Sequence, residues 1–491
     1  MNQHLPILQV VVPLMAAPLC VILRNRLAAR VLATAIAATC LAIAITLLRQ
    51  VTATGPIQYE LGGFAPPLGI EYRIDSMTAL LLVIVTMIAA AVFAFGATRF
   101  GTLIPEGREH LYYAALLLCM AGLLGMSITG DAFNVFVFLE ISSLSSYALI
   151  GLGEGRRAHM ASYSYLIMGT IGGTFFLLGV GLLYQITGTL NMADLATRLA
   201  DLHEHRTLHV AVAFLCVGLS LKLAVFPLHQ WLPNAYSYAP PVVSAFLSAT
   251  ATKVMFYVLT RFIFTILGST LIFGVLRMQY LLIPLSVGGM FVGSAAAIYQ
   301  KDIKRLLAYS SVAQIGYMTL GLSFNSESGL TAGLVHLFNH ALMKGGLFLV
   351  VACVAYRLGG STRISDWAGL GRRMPITMAA FVVGGLSLIG VPATVGFISK
   401  WYLVTGALEH GYYAVAVLIL LSSLLAVVYV WRVVEVIYFG KCTREDIKEA
   451  PLSLLLPTWA LIGATVFFGL TTQWTAGVAS QAAKQLLGGG L

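Results

Sequence analysis

Charged residues are scarce in this sequence. Aspartate, glutamate, lysine and arginine make up 10% of its 491 residues, whereas a typical soluble domain contains about 25%. Hydrophobic residues account for 59%, and the mean hydropathy is +0.89. So few polar residues cannot cover the surface that such a chain would present to water. The composition excludes a soluble domain and predicts an all-α polytopic membrane protein.

Cysteine pairs and nucleotide-binding motifs are also missing. The six cysteines are scattered and none forms a CxxC pair, which argues against a disulfide framework, a zinc site or an iron–sulfur cluster. No Walker loop and no dinucleotide fingerprint occurs. We therefore predict no cofactor and no metal site, and neither ATP hydrolysis nor flavin chemistry in this chain.

Apolar runs of about 20 residues, each long enough to cross the hydrocarbon core, recur along the chain. The first has neither a basic n-region nor a cleavage site, so we expect it to remain as a span. We count about fourteen transmembrane helices, at residues 5–23, 28–48, 76–98, 111–129, 131–152, 161–186, 208–230, 241–268, 280–299, 303–324, 329–357, 375–404, 412–438 and 452–472.

The net charge of +10 has a topological explanation, because cytoplasmic loops collect lysine and arginine. If both termini lie outside, the inner loops carry 17 of these residues and the outer segments carry six. The bias predicts a multi-pass protein of the bacterial inner (plasma) membrane with both termini on the outer, periplasmic side. The same explanation removes any need for a nucleic-acid partner.

Three short matches indicate an internal repeat. The letters GLSL occur at 218–221 and 385–388, the segment YQITGTLNMAD (184–194) aligns with YRLGGSTRISD (356–366), and a serine pair occurs at 142–143 and 310–311. Their offsets are 167, 172 and 168 residues. The matches predict two homologous units, spans 4–8 and 9–13. Because five spans is an odd number, the two units must be inverted relative to each other, as in many transporters.

This repeat predicts four regions in the chain. They are an N-terminal three-helix region (1–110), a first five-helix repeat (111–268), a second, inverted five-helix repeat (280–438), and a C-terminal loop with the last helix (439–491).

Within the predicted spans we single out ten ionisable side chains that are expected to be buried. Three of them, Arg261, Arg432 and Glu435, lie close enough to helix ends to reach the interface. A charge at the bilayer centre costs about 2.5–3.5 kcal/mol even on the insertion scale, so the other seven need a role. We select them as candidates for proton transfer: Glu140, Lys222, Lys253, His336, His340, Lys344 and Lys400.

A buried lysine is suited to carrying a proton. Desolvation favours its neutral form, and a nearby carboxylate favours its charged form. Moving the carboxylate therefore switches the lysine between taking up and releasing a proton. The alternative for the lysines is a structural ion pair, and the alternative for Glu140 is a neutral acid that a serine satisfies.

His336, His340 and Lys344 are four residues apart on the eleventh span and so lie near one face. Two histidines at this spacing can bind zinc, but the glutamate of an HExxH motif is missing. Histidine titrates close to neutral pH. We therefore predict a proton relay rather than a metal site.

Pro227 and Pro392 should break the seventh and twelfth spans. Proline lacks an amide proton and clashes with the carbonyl four residues earlier, so we expect free carbonyls at Leu223 and Leu388. Free acceptors at membrane depth can hold water or a cation. In LSLKLAVFPLHQWLP (219–233) the break follows Lys222 and would bring water to it. A packing kink is the alternative.

Four segments in order carry a family resemblance: GDAFNVFVFLEISSLSSYAL, LKLAVFPLHQWLPNAYSYAPPVVSAFLSATATK, HLFNHALMKGGLFL and GVPATVGFISKWYL. From about residue 70 to 440 the chain resembles the antiporter-like subunits of respiratory complex I and of Mrp-type cation/proton antiporters. The first segment, the TK of SATATKV and the lack of a long C-terminal extension are most similar to the D-type subunit of the Mrp complex.

The resemblance implies fourteen core helices, two inverted five-helix repeats and a hydrophilic axis through the membrane midplane. Glu140 matches the family's fifth-helix glutamate, Lys222 the seventh-helix lysine, and Lys253 the eighth-helix lysine. His336 matches the eleventh-helix histidine, and Lys400 the twelfth-helix charge, which is glutamate in some relatives. The implied partners are a homologous antiporter-like subunit, small membrane subunits, protons and Na⁺.

The function expected from these features is proton translocation, as a membrane subunit of a multisubunit Mrp-type Na⁺/H⁺ antiporter. Such a chain is a secondary transporter subunit, and whether it belongs to an enzyme stays open because of the following alternative. The alternative is an M- or N-type proton-pumping subunit, without redox chemistry of its own, of complex I (NADH:quinone oxidoreductase) or of a related membrane-bound hydrogenase. A scaffold without transport is a third possibility. The residues leave the exchanged cation and the particular complex open.

Overall fold

Most of the described chain is helical. The computed structural model describes residues 2–95, 107–441 and 446–488. Within these ranges the chain forms nineteen α-helices and one short β-hairpin, so the predicted all-α fold is confirmed. Two of the segments counted above as basic inner loops, 99–108 and 441–448, lie partly outside the described residues, and Cys442, one of the six cysteines, lies wholly outside them.

The N-terminal region consists of three helices and the hairpin. Its elements are α1 (Leu5–Leu23), α2 (Arg26–Thr54), β1 (Ile57–Glu60), β2 (Glu71–Ile74) and α3 (Ser76–Phe95). The two strands are antiparallel, with Ile57 opposite Ile74 and Glu60 opposite Glu71. We call the end of the helices that carries this hairpin the hairpin face. The opposite end carries the basic segments 24–30, 299–305 and 357–373, and we call it the basic face.

Seven helices follow in the first repeat region. They are α4 (Glu109–Ile128), α5 (Ala132–Gly151), α6 (Gly155–Thr187), α7 (Met192–Leu199), α8 (Arg206–Leu223), α9 (Trp231–Tyr238) and α10 (Pro241–Arg261).

The remaining nine helices form the second repeat region and the C-terminal part. They are α11 (Gln279–Ile298), α12 (Ile303–Ser323), α13 (Glu327–Arg357), α14 (Leu370–Arg373), α15 (Pro375–Ile389), α16 (Val395–Glu409), α17 (Tyr413–Phe439), α18 (Leu452–Leu470) and α19 (Gln473–Leu487).

Each of the fourteen predicted spans corresponds to a helix or to a pair of helices separated by a break, and the end of the third span, 96–98, lies outside the described residues. Among the described residues, 12 helices are long and apolar enough to cross a membrane. The other two predicted spans are α12, which is rich in polar residues, and the α15–α16 pair, whose members are short because of the break between them. The predicted eighth span differs at its end, because α10 stops at Arg261 and a π-helical turn continues to Ile266.

Both predicted helix breaks are present. Helix α8 ends at Leu223 and α9 begins at Trp231, whereas α15 ends at Ile389 and α16 begins at Val395. In each case a residue in the left-handed conformation closes the first helix: Ala224 with φ +63° and Gly390 with φ +92°. This conformation lets the chain turn away from the helix axis.

Two short backbone bridges show the inversion of the repeats. Asp131 caps α5 and lies opposite Asn191, while Asp302 caps α12 and lies opposite Arg363. The first bridge lies at the hairpin face, where the hairpin residue Tyr72 pairs with Thr129. The second lies at the basic face. Equivalent bridges at opposite faces are what an inverted repeat requires.

The bridges also correct one of the sequence matches. The two capping aspartates are 171 residues apart, which places Ser311 opposite Glu140. The predicted match of the serine pairs 142–143 and 310–311 is therefore wrong by three residues. Capping fixes where a helix starts, so the capping aspartates define the register better than a repeated serine pair.

Helix α13 lies at the centre of the molecule. It packs against α10, α12, α15, α16 and α18, and its most apolar 18-residue window is completely buried. Helix α19 was not predicted. It lies at the hairpin face, where the Lys484 Nζ atom is 3.4 Å from Glu327 Oε1 at the start of α13.

Candidate functional site

Glu140 and Lys222 lie next to each other in the first repeat. The Lys222 Nζ atom is 3.8 Å from Glu140 Oε1 and donates a 2.7 Å hydrogen bond to Ser143 Oγ. Lys222 is buried, whereas 28% of the Glu140 side chain is exposed on the outside of the chain. A separation of 3.8 Å is longer than a direct hydrogen bond, so Lys222 is hydrogen-bonded to Ser143 and interacts with Glu140 through charge.

Glycines of α6 make room for this pair. A methyl group at Gly173 would stand 2.6 Å from Glu140 Oε1, and one at Gly169 would stand 2.0 Å from the Tyr147 hydroxyl oxygen. Real Cβ atoms do not approach other atoms within 3.0 Å. Helix α6 therefore packs against the ion pair because these positions have no side chain.

The first break lies directly after Lys222. Lys222 is in the last turn of α8, where the helix dipole favours a positive charge. After the break, the Trp231 indole Nε1 donates a 2.9 Å hydrogen bond to Leu221 O. The break thus provides a backbone acceptor, but the carbonyl that receives a side-chain donor is that of Leu221 rather than the predicted Leu223.

Lys253 is fully buried on α10, which packs against α13 of the second repeat. Its Nζ atom donates to Ser248 O and lies 3.4 Å from Thr252 Oγ1. None of the ion pairs formed by the described residues includes Lys253. It is close enough to interact electrostatically with both His336 and His340.

The two histidines of α13 lie parallel to each other. The ring centroids of His336 and His340 are 5.9 Å apart, and His336 Nδ1 is 2.8 Å from Ser399 Oγ on α16. His336 Nε2 and both ring nitrogens of His340 have no hydrogen-bond partner among the described residues. Buried polar groups normally bind protein or water, so water is the expected partner at these nitrogens.

Lys400 lies on α16, after the second break. Its Nζ atom donates hydrogen bonds of 2.7 Å to Ile389 O and 3.2 Å to Leu388 O, the terminal carbonyls of α15. It also lies 5.0 Å from the centre of the Tyr317 ring, in a cation–π arrangement. The free carbonyl predicted at Leu388 is therefore present, and a lysine ammonium group occupies it.

The two halves thus place an ammonium group at similar positions. Lys222 precedes the break in the first repeat, and Lys400 follows the break in the second. Both ammonium groups nevertheless lie at the C-terminal end of the helix before the break, α8 or α15. The negative end of the helix dipole stabilises a cation there. The different positions of the two lysines in sequence therefore lead to one arrangement in space.

Lys344 makes its hydrogen bonds to α12. Its Nζ atom donates 2.8 Å to Leu307 O and also binds Ser310 Oγ, both on α12. It interacts electrostatically with Lys253 and His340. The structure pairs Glu140 with Lys222 and stacks His336 on His340. Lys253, Lys344 and Lys400 lie within electrostatic range of these histidines. Within the described residues, no direct contact joins Lys222 to Lys253.

A second buried charged group, which the sequence does not reveal, lies at the hairpin face. The Arg261 Nη1 atom is 2.7 Å from Asp75 Oδ2, and Nη2 donates 2.8 Å to Asp75 Oδ1. Arg261 ends α10 at this face, as expected for a residue near a helix end, but its guanidinium is paired with Asp75 and is largely buried. Asp75 directly precedes α3, and no pattern within α10 could indicate this partner.

The candidates selected from the sequence also omit small polar residues that contact the proton axis. Ser143 and Ser399 bind Lys222 and His336, and the Asn339 side chain donates 2.7 Å to Val395 O at the start of α16. Serine and asparagine are common in transmembrane helices as polar contacts. Of these residues, only Ser143 could have been selected from the sequence, because it is three residues after Glu140, within one helical turn.

Comparisons with known proteins agree with this geometry. The family described as NADH:quinone oxidoreductase/Mrp antiporter, TM, matches residues 129–426. The chain is 42% identical to NADH-quinone oxidoreductase subunit N of Desulforudis audaxviator, over 96% of each chain. It is 30% identical to the D-type subunit of the Na(+)/H(+) antiporter of Bacillus subtilis, over 98% of this chain and 97% of that relative.

A solved structure shows the same fold. A chain in the structure of the Mrp complex from Dietzia sp. DQ12-45-1b superposes with a TM-score of 0.91 at 27% identity, over 99% of this chain and 97% of that one. The family match covers more than half of the sequence and includes both broken helices and all seven candidate residues. The chain therefore belongs to the NADH:quinone oxidoreductase/Mrp antiporter transmembrane family.

Proposed function

We propose that this chain is the proton-translocating membrane subunit of a multisubunit Mrp-type monovalent cation/proton antiporter. The observation that carries the proposal is the ion pair of Lys222 with Glu140, 3.8 Å apart, at the first of two helix breaks. The pair supplies a lysine whose counter-charge can move. Resemblance to the D-type Na(+)/H(+) antiporter subunit and to the Mrp complex supports the choice of complex.

In the proposed mechanism, Lys222 keeps its proton while Glu140 is close. When Glu140 moves outward, the buried ammonium loses its counter-charge and releases the proton. Lys253 receives it through intervening water, and the unpaired nitrogens of His340 and His336 relay it onward. Lys400, at the second break, is the terminal donor or acceptor. Lys344 adjusts the potential felt by Lys253 and His340.

The exposed part of Glu140 supports an assembly with other membrane subunits. A carboxylate at this depth is costly against lipid, so a polar surface of a neighbouring subunit is the better contact. We propose as partners a homologous antiporter-like subunit and small membrane subunits. We also place both termini and the hairpin face on the outer side of a bacterial inner membrane, because the opposite face carries the basic loops.

Sodium-dependent proton flux tests this function. Everted membrane vesicles from cells lacking only this chain should lose the pH change that NaCl addition causes, and re-expression should restore it. Unchanged sodium-dependent flux in the deletion strain would contradict the proposal.

One comparison favours a second function. The relative of Desulforudis audaxviator is named subunit N of NADH-quinone oxidoreductase, so the same axis could work in a redox-driven proton pump. The same vesicles discriminate the two: a redox-driven subunit predicts loss of NADH-driven acidification, without an effect of sodium.

Substitution of Glu140 tests the movable counter-charge. Glu140→Ala should lower proton flux about 10²-fold, because a relay group contributes at least this much. Glu140→Asp should keep part of the flux, since it keeps the charge on a shorter side chain. Dye-monitored flux in vesicles with equal amounts of complex measures both. Equal flux in the alanine and aspartate variants would show that the charge itself is unimportant.

A methyl group on α6 should disturb the ion pair without removing either charge. In Gly173→Ala the new carbon would lie 2.6 Å from Glu140 Oε1, so the carboxylate must shift, and we expect flux to fall roughly 10- to 100-fold. Gly181→Ala on the same helix is the matched control, since nothing lies within 4 Å of its added carbon. If both variants transport equally, the close packing of α6 on Glu140 has no role in transport.

A further inference from the structure

A large cleft opens at the basic face, away from the proton axis. Its volume is about 980 Å³. The walls come from the start of α6, the end of α9, the α11–α12 loop, the segment before α14, and the end of α17. Five basic side chains line it, with one acidic side chain: Arg157, Lys301, Arg305, Arg363 and Arg432, and Asp302.

These basic side chains lack acidic partners. Of the ion pairs formed by the described residues, none involves this cleft. Asp302 is already engaged, since Oδ1 accepts from the Arg305 backbone N–H at 3.0 Å and Oδ2 accepts from the Thr362 hydroxyl at 2.5 Å. The buried Arg305 Nε atom has no hydrogen-bond partner among the described residues. The cleft therefore has positive charge that the described residues do not neutralise.

The backbone holds part of this charge in fixed positions. Ile303 N donates to Thr362 O and Ile364 N donates to Lys301 O, each at 2.9 Å. This is the second of the two equivalent bridges, and it holds the segments that carry Lys301 and Arg363 side by side. The Arg432 guanidinium is fixed by the carbonyls of Ile298 and Gln300.

The equivalent place in the first repeat already contains an anion. There, the hairpin lies over the bridge between Asp131 and Asn191, and Glu71 Oε1 accepts a 2.8 Å hydrogen bond from Asn191 Nδ2. The cavity that remains beside it is only about 20 Å³. In the second repeat Arg363 takes the position of Asn191, and no hairpin from the described residues covers the bridge. The first repeat thus shows that the position equivalent to the cleft can hold a carboxylate.

The surroundings indicate a lipid rather than a protein segment. The cleft lies at the ends of the helices, where headgroups are located, and Tyr299 at its rim is 80% exposed. Tyrosine is enriched at this level of membrane proteins. Arg157 and Tyr238 connect the cleft to a second cavity that reaches Met160 on α6. Met160, Tyr163 and Ile167 then form an exposed apolar strip along α6, which suits an acyl chain.

We propose that this cleft binds the phosphate headgroup of an anionic phospholipid, with its acyl chains along α6. Basic pockets between transmembrane helices bind such headgroups in other proteins. The bound headgroup would neutralise Arg157 and Arg363 and fill the place that Glu71 fills in the first repeat.

Lipid retention by the purified complex tests the proposal. The whole complex, exchanged into mixed micelles containing phosphatidylglycerol or phosphatidylcholine, is analysed by native mass spectrometry. We expect the native complex to retain phosphatidylglycerol in preference to phosphatidylcholine. The double variant Arg157→Gln/Arg363→Gln should retain phosphatidylglycerol roughly 30-fold more weakly, because each basic residue contributes about fivefold. Arg24→Gln, an exposed arginine at the same face, is the matched control and should bind like the native complex. The charge-keeping pair Arg157→Lys/Arg363→Lys should keep most of the binding.

Four outcomes would overturn the proposal. The first is equal retention of the two lipids, and the second is equal retention in the glutamine variant and the native complex. The third is competition by millimolar inorganic phosphate that is as effective as competition by phosphatidylglycerol. The fourth is loss of a neighbouring subunit from the glutamine variant while its lipid binding is unchanged. The third would indicate a free phosphate site, and the fourth an acidic protein segment as the occupant.

Discussion

Replacing Lys222 with alanine should lower proton flux by about 10²- to 10⁴-fold, the range expected when a proton-transfer group is removed. The side chain occupies a buried position between Glu140 and Ser143, and no other ammonium group among the described residues contacts either partner. The variant removes one buried ammonium group and keeps Glu140, whose partly exposed side chain still meets the proposed neighbouring subunit, so we expect the fold and the assembly to persist. Sodium-dependent flux in vesicles, normalised to assembled complex, measures the effect.

Lys484→Ala is the matched control for this experiment. It removes a lysine that pairs with Glu327 at the exposed hairpin face, so we expect native flux. Normal flux in an assembled Lys222→Ala complex would sink the proposed mechanism and favour the scaffold function. Loss of flux together with loss of assembly would assign Lys222 a structural role instead.

Replacing Asp75 with asparagine should have the largest effect on stability. Arg261 would keep its charge inside the fold without a counter-charge, and breaking a buried pair in this way costs about 3–5 kcal/mol. Both side chains are about 10% exposed, so solvent compensates little. We expect a clear shift in the midpoint of SDS-induced unfolding of the purified protein. Asp194→Asn, which breaks the exposed pair with Arg198, should cost only about 0.3–0.5 kcal/mol.

The effect of Asp75→Asn should depend on pH. Burial alone would raise the pKa of the Asp75 carboxyl, but the Arg261 guanidinium and the donors of Thr78 outweigh burial, so this pKa lies below its ordinary value. The stabilisation by the pair is therefore complete above the ordinary pKa of about 3.9 and is lost as pH falls through the lowered value. The stability difference between native and variant protein should shrink in acid. A constant difference down to about pH 2 would contradict this assignment.

The helix breaks could be predicted from the sequence because their cause is local. Proline removes a backbone donor wherever it stands, so Pro227 and Pro392 locate the breaks without knowledge of the fold. The buried charges are also readable, since any ionisable residue in the middle of an apolar run has to be inside the protein. For these reasons Glu140, Lys222 and Lys400 were predicted on the elements where they lie.

Partners that are distant in sequence could not be predicted. Asp75 and Arg261 are 186 residues apart, and the packing of α6 against Glu140 depends on how two helices meet. The register of the repeat failed for a related reason. A serine pair is a weak marker in a polar helix, whereas the aligned bridges at Asp131 and Asp302 become visible only when the loops pair in space.

The partly exposed carboxylate of Glu140 has a consequence for how the protein is made. A newly inserted copy without neighbours presents this group to lipid, at a cost of about 2.5–3.5 kcal/mol if charged. Protonation or early association removes that cost. Glu140, the residue proposed to switch Lys222, thus also distinguishes an unassembled copy from an assembled one. Stable insertion of this subunit therefore depends on the neighbouring subunit that covers Glu140.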